Sequence, residues 1–404
     1  MAGYTMKDRR RFVLNTNYPD AAASEVCIKG LGSLLEKRGF SVTHNDWQNY
    51  KDYDVAIFMS YDSEIEKARS INPNLLIGLG DPKTKNISES QKADFLLVSS
   101  IEQKDLFLCA SPNTFIYYMF PELERYAKEH KPKDKIIIGY HGNKVHLNSL
   151  YPNITKALER LGKRFNIEFW AMYNIEKLGE WTIGVPSNRY LTVKHIQWAP
   201  ENYKKYLSQV DIGLVPNCIP VKKLSSKKKE RILFSKIFLE DRNDYLLRFK
   251  YSSNPGRIYV FSQLGIPVVA DLFPSAAQFL EHGRRGFLAH SEAGWYHSIE
   301  QLILNPDLRQ KIAERLYSYI DSYYSREKTF EEFLEFINKI DKDKDLNTKG
   351  AESISFVNDS DCRETWKIRW QIFCEFFTRG VALKLQKVLK YLKIMRERFI
   401  NKGI

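Results

Sequence analysis

Between Arg248 and Ala270 the chain reads RFKYSSNPGRIYVFSQLGIPVVA, and its first half gathers cations, hydroxyls and a helix start. Asn254 has the side chain of a helix N-cap, and Pro255 suits a first helical position. The free N–H groups of Gly256 and Arg257 would then point out of that helix start. Arg248 and Lys250 lie just upstream, Ser252 and Ser253 beside them, and Arg257 within the first turn. A helix N-terminus ringed by cations and hydroxyls is what a diphosphate needs. An ordinary capped surface helix explains the same letters, because proline-started helices are common and cations are abundant here.

Other residues invite a catalytic reading beside a plain one. His141 follows an apolar run, between Tyr140 and Gly142, where a polar group would stand at the mouth of a cleft. A hydrogen-bonded structural imidazole is the alternative. Asp81, in Gly-Leu-Gly-Asp-Pro, is either an acid at the end of a strand or a turn former before Pro82. Ala21-Ala22-Ala23-Ser24-Glu25 is small enough to let a ligand approach, but capping by Ser24 accounts for it nearly as well.

The elements around these residues alternate. Apolar runs at 12–14, 40–42, 55–59, 75–79, 95–98 and 115–119 read as strands, with helices at 24–38, 64–70 and 102–108 between them. The polar stretch 125–135 holds Pro132 and reads as an interdomain linker. The alternation restarts with strands at 136–138, 167–172, 212–215 and 268–270, and helices at 151–161, 255–264, 295–304 and 308–320. Short strands separated by helices predict an α/β protein of two doubly wound, Rossmann-like domains. Ligands are expected at the carboxyl ends of the strands. The expected division is 1–130, 131–340, a polar linker at 341–362 and a helical tail at 363–404.

Composition narrows the class. The chain has 404 residues, 43% hydrophobic and 27% charged, as a globular protein of more than one core requires. Its net charge is 62 − 49 = +13. Residues 363–404 hold eleven Lys and Arg against three Glu, so the tail carries +8 and the first 362 residues +5. That split disfavours a nucleic-acid wrapper and fits a mildly basic enzyme with a cationic tail. No apolar run spans a membrane, and the N-terminus lacks the core of a secretory signal. Five scattered cysteines without a Cys-x-x-Cys pair argue for a reducing cytoplasm and against structural zinc.

Residues 136–325 resemble the C-terminal domain of GT-B glycosyltransferases, specifically the retaining family 4 (group 1). The matching pieces are IIIGYHGN, DIGLVPN, FKYSSNPGRIYVFSQLGIPVVAD and GFLAHSEAGWYHSIEQLILNPDLRQKIA. LLIGLGDP and ADFLLVSS extend the likeness more faintly to the first half. The resemblance implies transfer of a sugar from a nucleotide-sugar donor, held by 131–340, to a glycan or lipid-linked acceptor presented by 1–130, with retention and no metal or other cofactor. It places Lys250, Ser253 and Asn254 on the donor phosphates, with Arg248 or Arg257 as a second cation. Gly139, Gly142 and Asn143 would approach the donor from the opposite side, together with the Gly256 N–H. Lys250, Arg257, Asp81 and His141 are the catalytic candidates. Many members carry two glutamates eight positions apart around this helix. Ser252 and Val260 stand there instead, which leaves open a GT-B-like epimerase or hydrolase, or a non-catalytic binding protein.

Two acidic patterns are set aside. Asp359-Ser360-Asp361 imitates a metal-binding Asp-x-Asp but follows both domains. Asp341, Asp343, Asp345 and Glu352 outline a calcium loop that has Leu346 where a glycine is needed. The tail has an apolar stripe at Val381, Leu385, Val388, Leu392, Met395 and Phe399, flanked by lysines. It is expected to pack on protein, a partner helix included, or to lie on an anionic membrane surface. The expected location is the cytoplasm, possible peripheral attachment being to the inner face of the membrane.

Overall fold

The computed structural model describes residues 10–19, 21–84, 87–219, 247, 249–250 and 255–344. Arg248, Ser253, Asn254, the basic run 221–231 and the tail therefore lie outside the described residues. So do the acidic patterns beyond residue 344.

Two six-stranded parallel sheets form the core. The first contains β1 (Arg11–Asn15), β2 (Ser41–His44), β3 (Val55–Met59), β4 (Leu76–Gly80), β5 (Phe95–Val98) and β6 (Thr114–Ile116), in the order β2-β1-β3-β4-β5-β6. The second contains β7 (Ile136–His141), β8 (Ile167–Tyr173), β9 (Thr192–Gln197), β10 (Ile212–Val215), β11 (Val268–Asp271) and β12 (Phe287–Ala289). Its order is β12-β11-β10-β7-β8-β9. Each strand order reverses once, between β1 and β3 in the first sheet and between β7 and β10 in the second. Those reversals are where an open parallel sheet leaves a crevice.

The period-2 direction of side chains explains why both faces are covered. In β3, Val55, Ile57 and Met59 enter one apolar cluster while Ala56 and Phe58 enter another. In β8, Ile167, Phe169, Ala171 and Tyr173 face one layer, and Trp170 and Met172 the other. The covering helices are α1 (Gly30–Lys37), α2 (Ile65–Ile71), α3 (Ile87–Lys92), α4 (Ile101–Phe107) and α5 (Asn153–Gly162). They continue with α6 (Gly256–Gln263), α7 (Pro274–Phe279), α8 (Glu292–Leu304), α9 (Pro306–Tyr324) and α10 (Arg326–Lys344). A π-helical turn over Glu25–Lys29 precedes α1, inside what the sequence reads as one regular helix.

Three features differ from the sequence expectation. The linker is anchored by specific contacts that its polar sequence does not disclose. Lys128 Nζ donates to the carbonyls of Ser208 (2.8 Å) and Val210 (2.5 Å), and His130 Nε2 bonds Gly265 O at 2.8 Å. Arg309, 1% exposed, donates to Leu302 O and Lys131 O. Gly265 has φ +66°, and a Cβ there would meet Lys128 Cβ at 3.0 Å, so the helix stop doubles as the linker's seat.

The second difference is β9, whose burial is only partial because its polar residues alternate at the sheet edge. The third is helix α10, which the sequence reading did not assign and which runs past the expected boundary at residue 340. Helix α10 packs on the first sheet: Phe330, Phe333, Leu334, Ile337 and Ile340 join its core cluster. The Phe333 ring lies 5.8 Å from Tyr117, and Phe336 stacks on Phe115 at 5.1 Å. The chain thus returns to its first domain after Ser325. Phe333→Ala should remove a fully buried ring and destabilise the protein by about 3 kcal/mol or more. Urea denaturation measures this, with Leu304→Ala at an exposed position as the near-neutral control.

Candidate functional site

The second sheet's reversal point is built from the end of β7 outward. His141 closes the strand, and Gly142 follows with φ +137°, its N–H donating to Met172 O at 3.1 Å. A Cβ on Gly142 would stand 3.0 Å from the Tyr140 hydroxyl and 3.3 Å from Arg257 Cδ, so this glycine lets the loop close on Arg257. Tyr140 Oη donates to Asn143 O (2.6 Å), and the His146 N–H to the same carbonyl (3.0 Å). The 3₁₀ turn Lys144–Leu150 then carries His146 and Ser149 to Lys250. The Lys250 ammonium donates to His146 Nδ1 at 2.9 Å and to Ser149 Oγ at 3.2 Å.

Lys250 is positioned from below by a carboxylate. Asp271, at the end of β11, accepts the backbone N–H groups of Asn217 (2.7 Å) and Cys218 (2.8 Å) with one oxygen. That segment bridges Phe249 antiparallel through Cys218, and Asn217 Nδ2 donates to Lys250 O at 3.3 Å. Helix α6 starts at Gly256, one residue later than the sequence suggests, with Pro255 as the residue before it. Arg257, in its first turn, keeps part of its surface exposed, but its Nη1 is sealed from solvent and has no hydrogen-bond partner. Its guanidinium carbon lies 5.8 Å from the Tyr140 ring centroid.

The electrostatics are one-sided. Burial, then Arg257, push Lys250 down to about 8, with Asp271 opposing. Burial lowers Arg257 too, against Tyr140 and Asp271. His141 is pushed down to about 3 by burial and then by Arg257, and its backbone hydrogen bond to Arg257 only partly opposes this. His146 falls to about 2 through burial, Arg257 and Lys250. Two cations and two neutral imidazoles thus lie together, half-buried apart from the buried His141, and Asp271 is the carboxylate that acts on both cations. His141 Nε2, buried and without a partner, and Arg257 Nη1 are polar atoms left for a ligand.

Of the residues singled out in the sequence, the fold gathers Lys250, Arg257, His141, Gly142, Asn143 and Gly256 at this end of the sheet. Gly139 is placed differently from Gly142. It lies within β7, opposite Gly213, and a Cβ there would run into Val210 at 2.5 Å, so its smallness serves packing. Val260, in the place of one family glutamate, is buried in the apolar cluster. His146, Ser149 and Asp271 were not found from sequence. The first two come from one 3₁₀ turn and the third from the end of β11, and no local spacing marks them.

Asp81 belongs to the other sheet. It follows β4 in the left-handed region (φ +50°), and its carboxylate pairs with Lys83 at 2.6 Å, which favours the turn-forming reading. At the reversal between β1 and β3 a polar network has formed. Thr16 Oγ1 hydrogen-bonds Ser24 Oγ (3.1 Å) and donates to Asp62 Oδ2 (3.2 Å), which also accepts the Asn17 N–H. Ser24 Oγ meets the Tyr61 hydroxyl at 2.5 Å. Ser24 therefore serves this network; it makes no side-chain cap for the helical turn after it.

Among the described residues, Cys218, Asp271 and His290 have ligand atoms within 4.8 Å of one another. One Asp271 oxygen is already committed to two backbone N–H groups, and Lys250 and Arg257 act on the same carboxylate. This group therefore reads as the anchor of the 217–218 segment.

No family model matches the sequence, and no curated protein matches it. Solved structures do. Anabaena Alr3699/HepE, in a complex with UDP, is 11% identical, with a TM-score of 0.52 over 82% of this chain and 100% of that one. Its complex with UDP and glucose gives 0.51 at the same identity and coverage. Sucrose-phosphate synthase from Thermosynechococcus elongatus is 11% identical, with a TM-score of 0.51 over 82% of this chain and 99% of that one. The two parallel sheets with their covering helices have the GT-B architecture.

Proposed function

We propose that this chain is a glycosyltransferase of the family 4 type, moving a sugar from a nucleoside diphosphate donor to a glycan or lipid-linked acceptor. The observation that carries the reading is the half-buried cation pair Lys250 and Arg257 at the start of α6, with partnerless nitrogens on Arg257 and His141. As the glycosidic bond to the donor breaks, charge grows on the diphosphate. Lys250, Arg257 and the first N–H groups of α6 are fixed in advance to receive it. Two side-chain cations fill the part that a divalent ion would otherwise play, so transfer is proposed to need no metal. His141 stays neutral at physiological pH and acts as a hydrogen-bonding group. Retention of configuration rests on the family resemblance.

Arg248, Ser253 and Asn254 remain proposed donor contacts from sequence, and 363–404 a proposed contact with an anionic membrane or a partner helix. Location in the cytoplasm, at or near the inner membrane face, belongs to the same proposal. The fold supports the donor reading because proteins similar in architecture include one solved with UDP and with UDP and glucose.

The test is turnover of a panel of nucleotide-sugars with and without acceptor extracts. Nucleoside diphosphate released only with acceptor supports transfer. A rearranged donor or acceptor-free hydrolysis points to the epimerase or hydrolase reading, and ligand-induced stabilisation without product to a binding protein. Lys250→Ala is expected to weaken nucleoside diphosphate binding ~10- to 100-fold and nucleoside binding less than about twofold, since it deletes a charge-assisted contact to phosphate. Equal loss of both, measured by calorimetry, would remove Lys250 from the phosphate site.

A further inference from the structure

We propose that the crevice between β1 and β3 seats a pyranose ring of the acceptor, stacked on Tyr18 and held through its hydroxyls by Asp62. The word acceptor rests on the glycosyl-transfer reading; the recognition of a sugar ring does not. Tyr18 is 58% exposed, yet it is not a loose surface ring. Its N–H donates to Thr16 Oγ1 at 3.1 Å, and its carbonyl accepts the Ala21 N–H at 3.1 Å. Its ring is braced edge-on by Tyr61, 5.5 Å away, and the Tyr61 hydroxyl is itself tied to Ser24. The result is an aromatic face fixed in place and left open to solvent beside the strand ends.

Asp62 lies within the same network. Its Oδ2 is engaged by Thr16 and the Asn17 N–H, while its Oδ1 is buried and has no partner. An acceptor-only oxygen in that position calls for a donor, and a hydroxyl supplies one. No cation pairs with Asp62 among the described residues, and the nearby Lys83 is taken by Asp81, so a phosphate would be repelled here. The site therefore differs in sign from the Lys250 pocket. An apolar ring face beside a carboxylate suits a ligand with one C–H face and a rim of hydroxyls, which describes a pyranose.

Saturation-transfer NMR on the full-length protein tests this, using methyl glycosides of glucose, galactose, mannose and N-acetylglucosamine as probes. At least one should receive saturation on the ring protons of one face in the wild type and in Tyr18→Phe. The effect should fall at least ~fivefold in Tyr18→Ala, which alters an exposed side chain, and in Asp62→Asn, with UDP affinity by calorimetry unchanged in both. Saturation in Tyr18→Ala equal to wild type, or no saturation of any glycoside, overturns the proposal. Glycoside binding without UDP binding leaves this subsite standing and removes the donor reading instead.

Discussion

Arg257→Met is expected to lower nucleoside diphosphate affinity about 100-fold while leaving the thermal midpoint unchanged or raising it. The two effects separate because Arg257 is held at a cost. Its Nη1 is out of solvent with no partner, burial depresses its basicity, and Lys250 adds like charge. A guanidinium nitrogen sealed from water without a partner costs stability, and an apolar side chain of similar length relieves that. Ligand binding reverses the balance, because a diphosphate is the missing partner. Gly142 leaves room for the Arg257 stem, and the hydrogen bond between His141 and residue 257 uses its backbone, so both survive the substitution. Calorimetric titration with UDP, GDP and ADP beside thermal denaturation reads both quantities. A variant that loses stability and affinity together would make Arg257 a structural residue.

How this site reads from sequence depends on how local each part is. Lys250, Arg257 and the start of α6 lie within a few residues of each other, so capping residues and cation spacing disclose them. The first-domain strands are equally legible, because β3 and β5 are continuous apolar runs buried on both faces. What supports Lys250 is not legible. His146 and Ser149 approach from a turn about a hundred positions upstream, and Asp271 acts through the backbone of 217 and 218. Gly139 shows a second kind of non-local constraint. A glycine beside a strand end looks like a place for close ligand approach, but Val210, seventy-one positions on, fills its space. Helix α10 escaped detection because its apolar residues are diluted by charge. Only tertiary packing reveals that Phe333 and Phe336 complete the first domain.

The second large effect is acid destabilisation. His130, His141 and His146 are pushed down to about 4, 3 and 2, in each case chiefly by burial, from an ordinary value of 6.5. Between those values the unfolded chain binds protons that the native state refuses, so stability must fall as pH drops below 6.5. Each group contributes ~1.4 kcal/mol per pH unit, and three together ~4 kcal/mol per unit near pH 5. The loss through His130 levels off near pH 4, while His141 and His146 continue lower. Lys250 has the same sign in a different window. Its value of about 8 lies below the usual 10.5, so the cost of holding it charged is lifted as pH rises through that range. Urea midpoints at pH 7.5, 6 and 5 should therefore fall steeply in the apo protein. His146→Gln, which retains an acceptor for Lys250, should flatten the slope by about a third. A saturating nucleoside diphosphate should also flatten it, because its negative charge lets His141 and His146 accept protons in the native state. A slope unchanged by the diphosphate would mean that these imidazoles do not face the anion, and would separate them from the site built around Lys250.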